Sequence, residues 1–98
     1  MIMHNVYFWL IDPNPEMIAE FMSDLQKLEK IREIKQLHIG VPAPIIRSVV
    51  EHSYSVGMSV IFMDLMGHDG YQVHPLHKEF LSKNKGKWSK VQIYDIHV

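Results

Sequence analysis

Apolar positions recur along this chain with two different periods, and the switches between them outline its elements. Residues 3–11 are dense in aromatic and β-branched types, which predicts a strand. On it His4, Val6, Phe8 and Leu10 share one face, and Tyr7, Trp9 and Ile11 share the other. Asp12-Pro-Asn-Pro15 interrupts the pattern and restarts it. Asn14 is placed to cap a helix whose first residue is Pro15, with Glu16 favourable in the first turn. Ile18, Phe21, Met22, Leu25 and Leu28 then keep helical spacing, giving one apolar stripe to about Ile31.

Period two returns at residues 34–41, where Leu37, Ile39 and Val41 alternate with Gln36, His38 and Gly40. Pro42-Ala-Pro44 ends that strand. The segment to Tyr54 is irregular, or carries a short helical turn around residues 45–50. Residues 55–63 read as a third strand, with Val56, Met58, Val60 and Phe62 opposing Ile61 and Met63. Asp64 can cap a short helix to about Val73, weakened by Gly67 and Gly70. Pro75 restarts a helix to about Ser82, Asn84-Lys-Gly-Lys87 is a turn, and residues 88–98 form the last strand. There Val91, Ile93 and Asp95 oppose Tyr94, Ile96 and Val98.

The order βαββαβ predicts an α+β ferredoxin-like fold, a four-stranded antiparallel sheet with its helices on one face. Both sheet faces are apolar, yet the helices cover one. An open face of Tyr7, Trp9, Ile61, Met63, Tyr94 and Ile96 is a large patch for a monomer. A two-fold homodimer, sheet against sheet, would bury it. The alternative is a monomer whose 42–54 segment folds over the sheet.

Composition sharpens this picture. The 98 residues make one domain, residues 1–98. A chain of this size buries roughly 60–65% of its unfolded surface, so it gains from a partner copy. A net charge of −1 gives no reason to expect nucleic acid or an anionic membrane as partner. The apolar start, Val6 to Ile11, is too short to span a membrane and lacks a basic region before it. The absence of cysteine removes disulfides, thiolate metal sites and Cys nucleophiles, and is compatible with the cytoplasmic location expected here. Seven histidines are unusual and unclustered.

Two of those histidines stand in Tyr71-Gln-Val-His-Pro-Leu-His-Lys-Glu-Phe80. Pro75 suits the first position of a helix, which makes His74 its cap and puts His77 near the third position, able to turn inward. Structurally, His74 is then punctuation and His77 a hydrogen-bonded core residue. The functional reading needs neighbours on the face under the helices, and its polar groups are His4, Asp95 and Tyr71. A carboxylate on one imidazole nitrogen leaves the other as a base, so Asp95 and His77 could pair, with Tyr71 as acid or oxyanion donor. Phe8, Phe21, Met22, Met58, Trp88 and Ile93 would line an apolar cavity around them, or close up as filled core. His74, His77 and Glu79 also suggest metal ligands, but the helix start splits the pair and no further ligand has diagnostic spacing. No metal and no cofactor is expected.

Four stretches together resemble the stress-responsive A/B barrel (Dabb) family, a branch of the dimeric α/β barrels. They are "MHNVYFWL", "YSVGMSVIF", "YQVHPLHKEF" and the closing "VQIYDIHV" with its Asp. The resemblance spans nearly the whole chain and implies a ferredoxin-like fold whose dimer packs two sheets into a barrel. One plant branch, similar to olivetolic acid cyclase, closes a linear polyketide by an aldol reaction without a cofactor. The resemblance to it implies an acid/base pair at Tyr71 and His77, with Asp95 orienting the His. It implies pocket residues at His4, Val6, Phe8, Phe21, Met22, Met58, Trp88 and Ile93. Two functions follow as expectations. One is a homodimer binding a small apolar or aromatic ligand, with no established catalysis. The alternative is a cofactor-independent cyclase or lyase using His77 as base.

Overall fold

Strand β1 (Ile2–Leu10) alternates buried and half-buried residues along its whole length, because it lies inside the sheet with helices over one face. The computed structural model describes residues 1–98. After β1 come α1 (Pro15–Gln26), β2 (Ile34–Gly40), β3 (Val56–Phe62), α2 (Leu65–Val73), α3 (Pro75–Asn84) and β4 (Trp88–His97). The four strands form one sheet in the order β2-β3-β1-β4, every pair antiparallel. This is the ferredoxin-like arrangement that the βαββαβ order predicts, its second helical unit split in two.

The apolar alternation decides which face is covered. His4, Val6, Phe8 and Leu10 of β1 and Val56, Met58, Val60 and Phe62 of β3 are all buried. Phe21 and Leu25 of α1, Tyr71 of α2 and Phe80 of α3 close over them. Phe21 meets Phe8 edge to face at 4.9 Å, Phe80 at 5.5 Å and Trp88 at 6.1 Å between ring centroids. Such pairs add to area burial, and truncating Phe21 to Ala would cost about 3–5 kcal/mol.

The caps are those the sequence suggests. Asn14 accepts the Met17 amide at 2.9 Å, with Pro15 at the start of α1. Asp64 accepts the Gly67 amide at 2.9 Å at the start of α2. Helix α1 stops at Gln26, however, and residues Lys27–Lys30 form a 3₁₀ turn where one continuous helix to Ile31 was expected. Leu25, Leu28 and Ile31 are spaced by three, and three residues per turn brings all of them onto the core side. Each is essentially inaccessible. Helix α3 runs on to Asn84, whose buried amide donates to the Phe80 carbonyl at 3.1 Å. The 42–54 segment forms neither helix nor strand.

Strand β4 departs from the expectation in one respect that matters for the site. Val91, Ile93 and Asp95 do lie on the helix-facing side, opposite Phe8, Val6 and His4. But β4 is the outer strand, and Ile93 remains 44% exposed. The helices do not reach that edge, so a cleft opens there rather than a sealed core. On the other sheet face, Tyr7, Trp9 and Ile61 are half-buried, while Tyr94 is 59% and Ile96 49% exposed. Met63 falls just past the end of β3, and is exposed. Tyr54 leans on this face, 5.0 Å from the Tyr7 ring and 6.3 Å from Trp9, and Ser53 accepts the Trp9 indole N–H at 2.9 Å. The 42–54 segment thus covers part of the patch, and its own Ile46 and Val49 stand in solvent. No helix is long and apolar enough to cross a membrane.

Candidate functional site

The break between α2 and α3 builds one wall of the site. His74 is extended at φ −65°, ψ 139°, as a residue before proline prefers, and its Nδ1 accepts the Leu76 amide at 3.0 Å. With His74 spent as a cap, Pro75 and Leu76 carry the chain round, and His77 turns inward. Its Nδ1 lies 3.2 Å from the Gln72 carbonyl oxygen, the last turn of the preceding helix. A carbonyl can only accept, so Nδ1 carries the proton and donates it. Nε2 is left as a bare acceptor. The two histidines of the motif therefore do not form a metal pair.

Tyr71 sits one turn before this break, with 1% of its surface exposed and its ring 4.5 Å from that of His77. Burial pushes the Tyr71 phenol up, so it is a neutral hydroxyl at any ordinary pH. Burial also holds His77 below its ordinary value; the Gln72 hydrogen bond opposes this, and the nearby His4 and His68 add to it. A neutral imidazole with a free Nε2 stands beside a neutral phenol.

A cavity of about 230 Å³ lies between these helices and the sheet. His4, Val6, Phe8 and Met58 form its sheet wall, Trp88 and Ile93 its β4 side, and Tyr71 and His77 its helix wall. The expected lining is corrected at two places. Phe21 belongs to the aromatic cluster behind the cavity, and Met22 packs at the rim of the core; neither reaches the open space. Leu25, Leu28, Gln72, Phe80, Leu81 and Val91 line it instead. Val91 could have been found by period two from Ile93, and Leu25 and Leu28 by the α1 stripe.

Asp95 is the larger correction. It does not reach His77. Its Oδ1 lies 2.5 Å from Nδ1 of His4, its direct cross-strand neighbour. The alternation of β4 put the carboxylate on the correct face, but antiparallel register decides the partner, and register is not readable from either strand alone. Burial lowers the tendency of His4 to protonate, while the Asp95 hydrogen bond and charge work against that. The other residue sequence reasoning missed is His68, whose ring stands 5.2 Å from His4. Its signal was its position three residues before Tyr71, hence on the same face of α2. His4, His68 and Asp95 are the side chains that this fold brings within metal-ligand reach of one another.

Comparison with known proteins places the fold. The Arabidopsis thaliana protein At3g17210 superposes with a TM-score of 0.84 at 22% identity, over 100% of this chain and 95% of that one. A dimeric ferredoxin-like protein of unknown function from Thermobifida fusca gives 0.79 at 20% identity, over 99% and 90%. A hydroxynitrile lyase from Passiflora edulis gives 0.80 at 15% identity, over 99% and 92%. No functionally curated protein matches the sequence. The stress responsive A/B barrel domain, Dabb, matches residues 2–98, essentially the whole chain, and the protein belongs to that family.

Proposed function

We propose that this Dabb protein is a homodimer that binds a small, largely apolar molecule in the cavity between sheet and helices. The molecule is anchored by hydrogen bonds to His77 Nε2 and the Tyr71 hydroxyl. The observation that carries this reading is the arrangement of His77: a buried ring held by the Gln72 carbonyl, with its other nitrogen unused, in the wall of an apolar cavity. Few convergent polar groups in an apolar space are the usual make-up of a small-molecule site. A dry cavity near 150 Å³ holds benzene, so about 230 Å³ takes one substituted ring, and the cleft at the β4 edge leaves room for a longer group to extend into solvent.

The homodimer is supported by the exposed Tyr94 and Ile96 on the outer sheet face, beside Tyr7, Trp9 and Ile61, and by the exposed Ile46 and Val49 of the neighbouring segment. That a solved relative is described as dimeric agrees with it. Sedimentation at micromolar concentration tests it, and a monomer there contradicts it.

A second reading adds proton transfer without a cofactor. It is favoured by the neutral His77 beside the neutral Tyr71. In it, Nε2 removes an acidic C–H proton of the bound molecule and the Tyr71 hydroxyl hydrogen-bonds the enolate or alkoxide oxygen. Asp95 takes no proton from His77 and acts through His4, holding that ring in the cavity wall. A solved structure with this fold is a hydroxynitrile lyase, so the fold is compatible with enzymatic chemistry.

Both readings are tested with one panel of phenols, benzaldehydes and aryl ketones. Binding should raise the melting temperature, by an amount corresponding to about 2.7 kcal/mol at a hundredfold excess over Kd. Catalysis should in addition exchange the α-protons of an aryl ketone for deuterium, and His77→Ala should abolish that exchange. A flat thermal response across the panel contradicts the binding reading.

A further inference from the structure

Three metal-capable side chains from three separate elements meet at one end of the sheet. His4 of β1, His68 of α2 and Asp95 of β4 each offer a ligand atom within 4.8 Å of the others. We propose that this triad binds one divalent transition ion of the zinc type through two imidazole nitrogens and one carboxylate oxygen. Imidazole and carboxylate donors suit such ions, and three protein ligands leave a further position for water or a ligand oxygen.

The backbone already organises two of the three donors. His4 and Asp95 are directly opposed residues of neighbouring strands, with Nδ1 and Oδ1 2.5 Å apart. Metal bonds of about 2.1 Å in a tetrahedron set ligand atoms about 3.4 Å apart. The ion would replace the shared proton, and the pair would open by roughly 0.9 Å. The Asp95 side chain can supply that movement, since it stands 47% exposed on the outer strand while His4 is fixed in the core.

His68 is oriented for the same task. Its Nδ1 lies 3.2 Å from the Asp69 carboxylate, which can only accept, so Nδ1 carries the proton. Its Nε2 is then a bare lone pair, and the Gln72 amide nitrogen lies 3.3 Å from it as donor. A carboxylate on the distal nitrogen of a ligating histidine is the common arrangement around metals, fixing the tautomer and raising basicity. An ion would take the place of the Gln72 amide. The site shares His4 with the cavity wall but needs neither His77 nor a bound organic ligand, so it stands independently of the proposed pocket.

The test uses the full chain without a histidine tag, stripped with EDTA and titrated with Zn²⁺ and, separately, Co²⁺ by calorimetry. One equivalent per chain is expected, with visible absorption from the Co²⁺ form. His68→Ala, at a half-buried position, and Asp95→Asn, at an exposed one, should each weaken binding by about 100-fold, as loss of a ligand must at least match loss of a supporting group. His38→Ala, on the exposed side of β2, should leave it unchanged. Absence of binding at millimolar ion, or tight binding that survives both variants, would overturn the proposal.

Discussion

Asp95 bonds to His4 and not to His77, across the β1–β4 pair at 2.5 Å. The two inward histidines are thus held by different means, one by a side-chain carboxylate and one by a backbone carbonyl. In metal-free protein, Asp95→Asn should lower the readiness of His4 to protonate, because the lost carboxylate was raising it. Asp95 is nearly half exposed, so solvent screens the pair; the stability loss should be about 1 kcal/mol, below the range for buried charged hydrogen bonds. Urea unfolding of the two proteins in EDTA measures it. An unchanged midpoint would show that the pair contributes nothing.

His74 caps α3 through Nδ1 and is not among the residues that line the cavity. His74→Ala should cost about 1 kcal/mol, which in a domain of this size lowers the melting temperature by about 4–8 °C. Ligand affinity should be retained. A variant of wild-type stability would contradict the cap, and a variant that loses binding without losing stability would contradict its separation from the site.

The pH dependence of stability follows from His77, with His4 shifted in the same direction by its own burial. The ordinary value of His77 is 6.5 and burial lowers it in the fold. The unfolded chain therefore takes up the proton first. The full contribution is present above about pH 6.5 and is lost as the pH falls from there through the depressed folded value. Chemical denaturation at pH 7.5 and pH 5.5 in EDTA checks this, with His77→Gln expected to flatten the slope over that window. Greater stability at pH 5.5 would reverse the sign and refute the buried neutral ring.

The outer sheet face gives the assembly prediction. Tyr94→Glu and Ile96→Glu place charges on exposed positions of β4 that a monomer tolerates at little cost. A sheet-to-sheet dimer does not tolerate them. Sedimentation should show dimer for the parent and monomer for each variant, with unchanged far-UV circular dichroism. A dimer that persists in both variants would move the interface elsewhere.

Much of this fold is legible in the sequence. Period two in β1 and β3 placed every buried residue of those strands except Ile2, which lies before the expected start, because a sheet with one covered face leaves alternation no other solution. Asn14, Asp64 and the His74-Pro75 step marked the helix starts by local chemistry alone. What the sequence hid was relational. The partner of Asp95 depends on strand register, and the exposure of Ile93 depends on which strand lies at the edge. The shortening of α1 reflects tertiary packing of Leu28 and Ile31, which local spacing of three and four does not distinguish from continued helix. Phe21 and Met22 lie on the correct helix face, but the depth of a cavity is set by how neighbouring rings stack; Phe8, Phe80 and Trp88 pack against Phe21 and line the cavity where it does not.

The central claim is that a small molecule in the cavity engages His77 Nε2. Long-range ¹H–¹⁵N spectra of the histidine rings, recorded in EDTA with and without the tightest phenol or aryl ketone of the panel, test it directly. His77 is expected as the Nδ1–H tautomer in the free protein, with its Nε2 resonance moving on binding while exposed His38 stays in place. An Nε2 that is protonated in the free protein, or that does not respond to a saturating ligand, would contradict it.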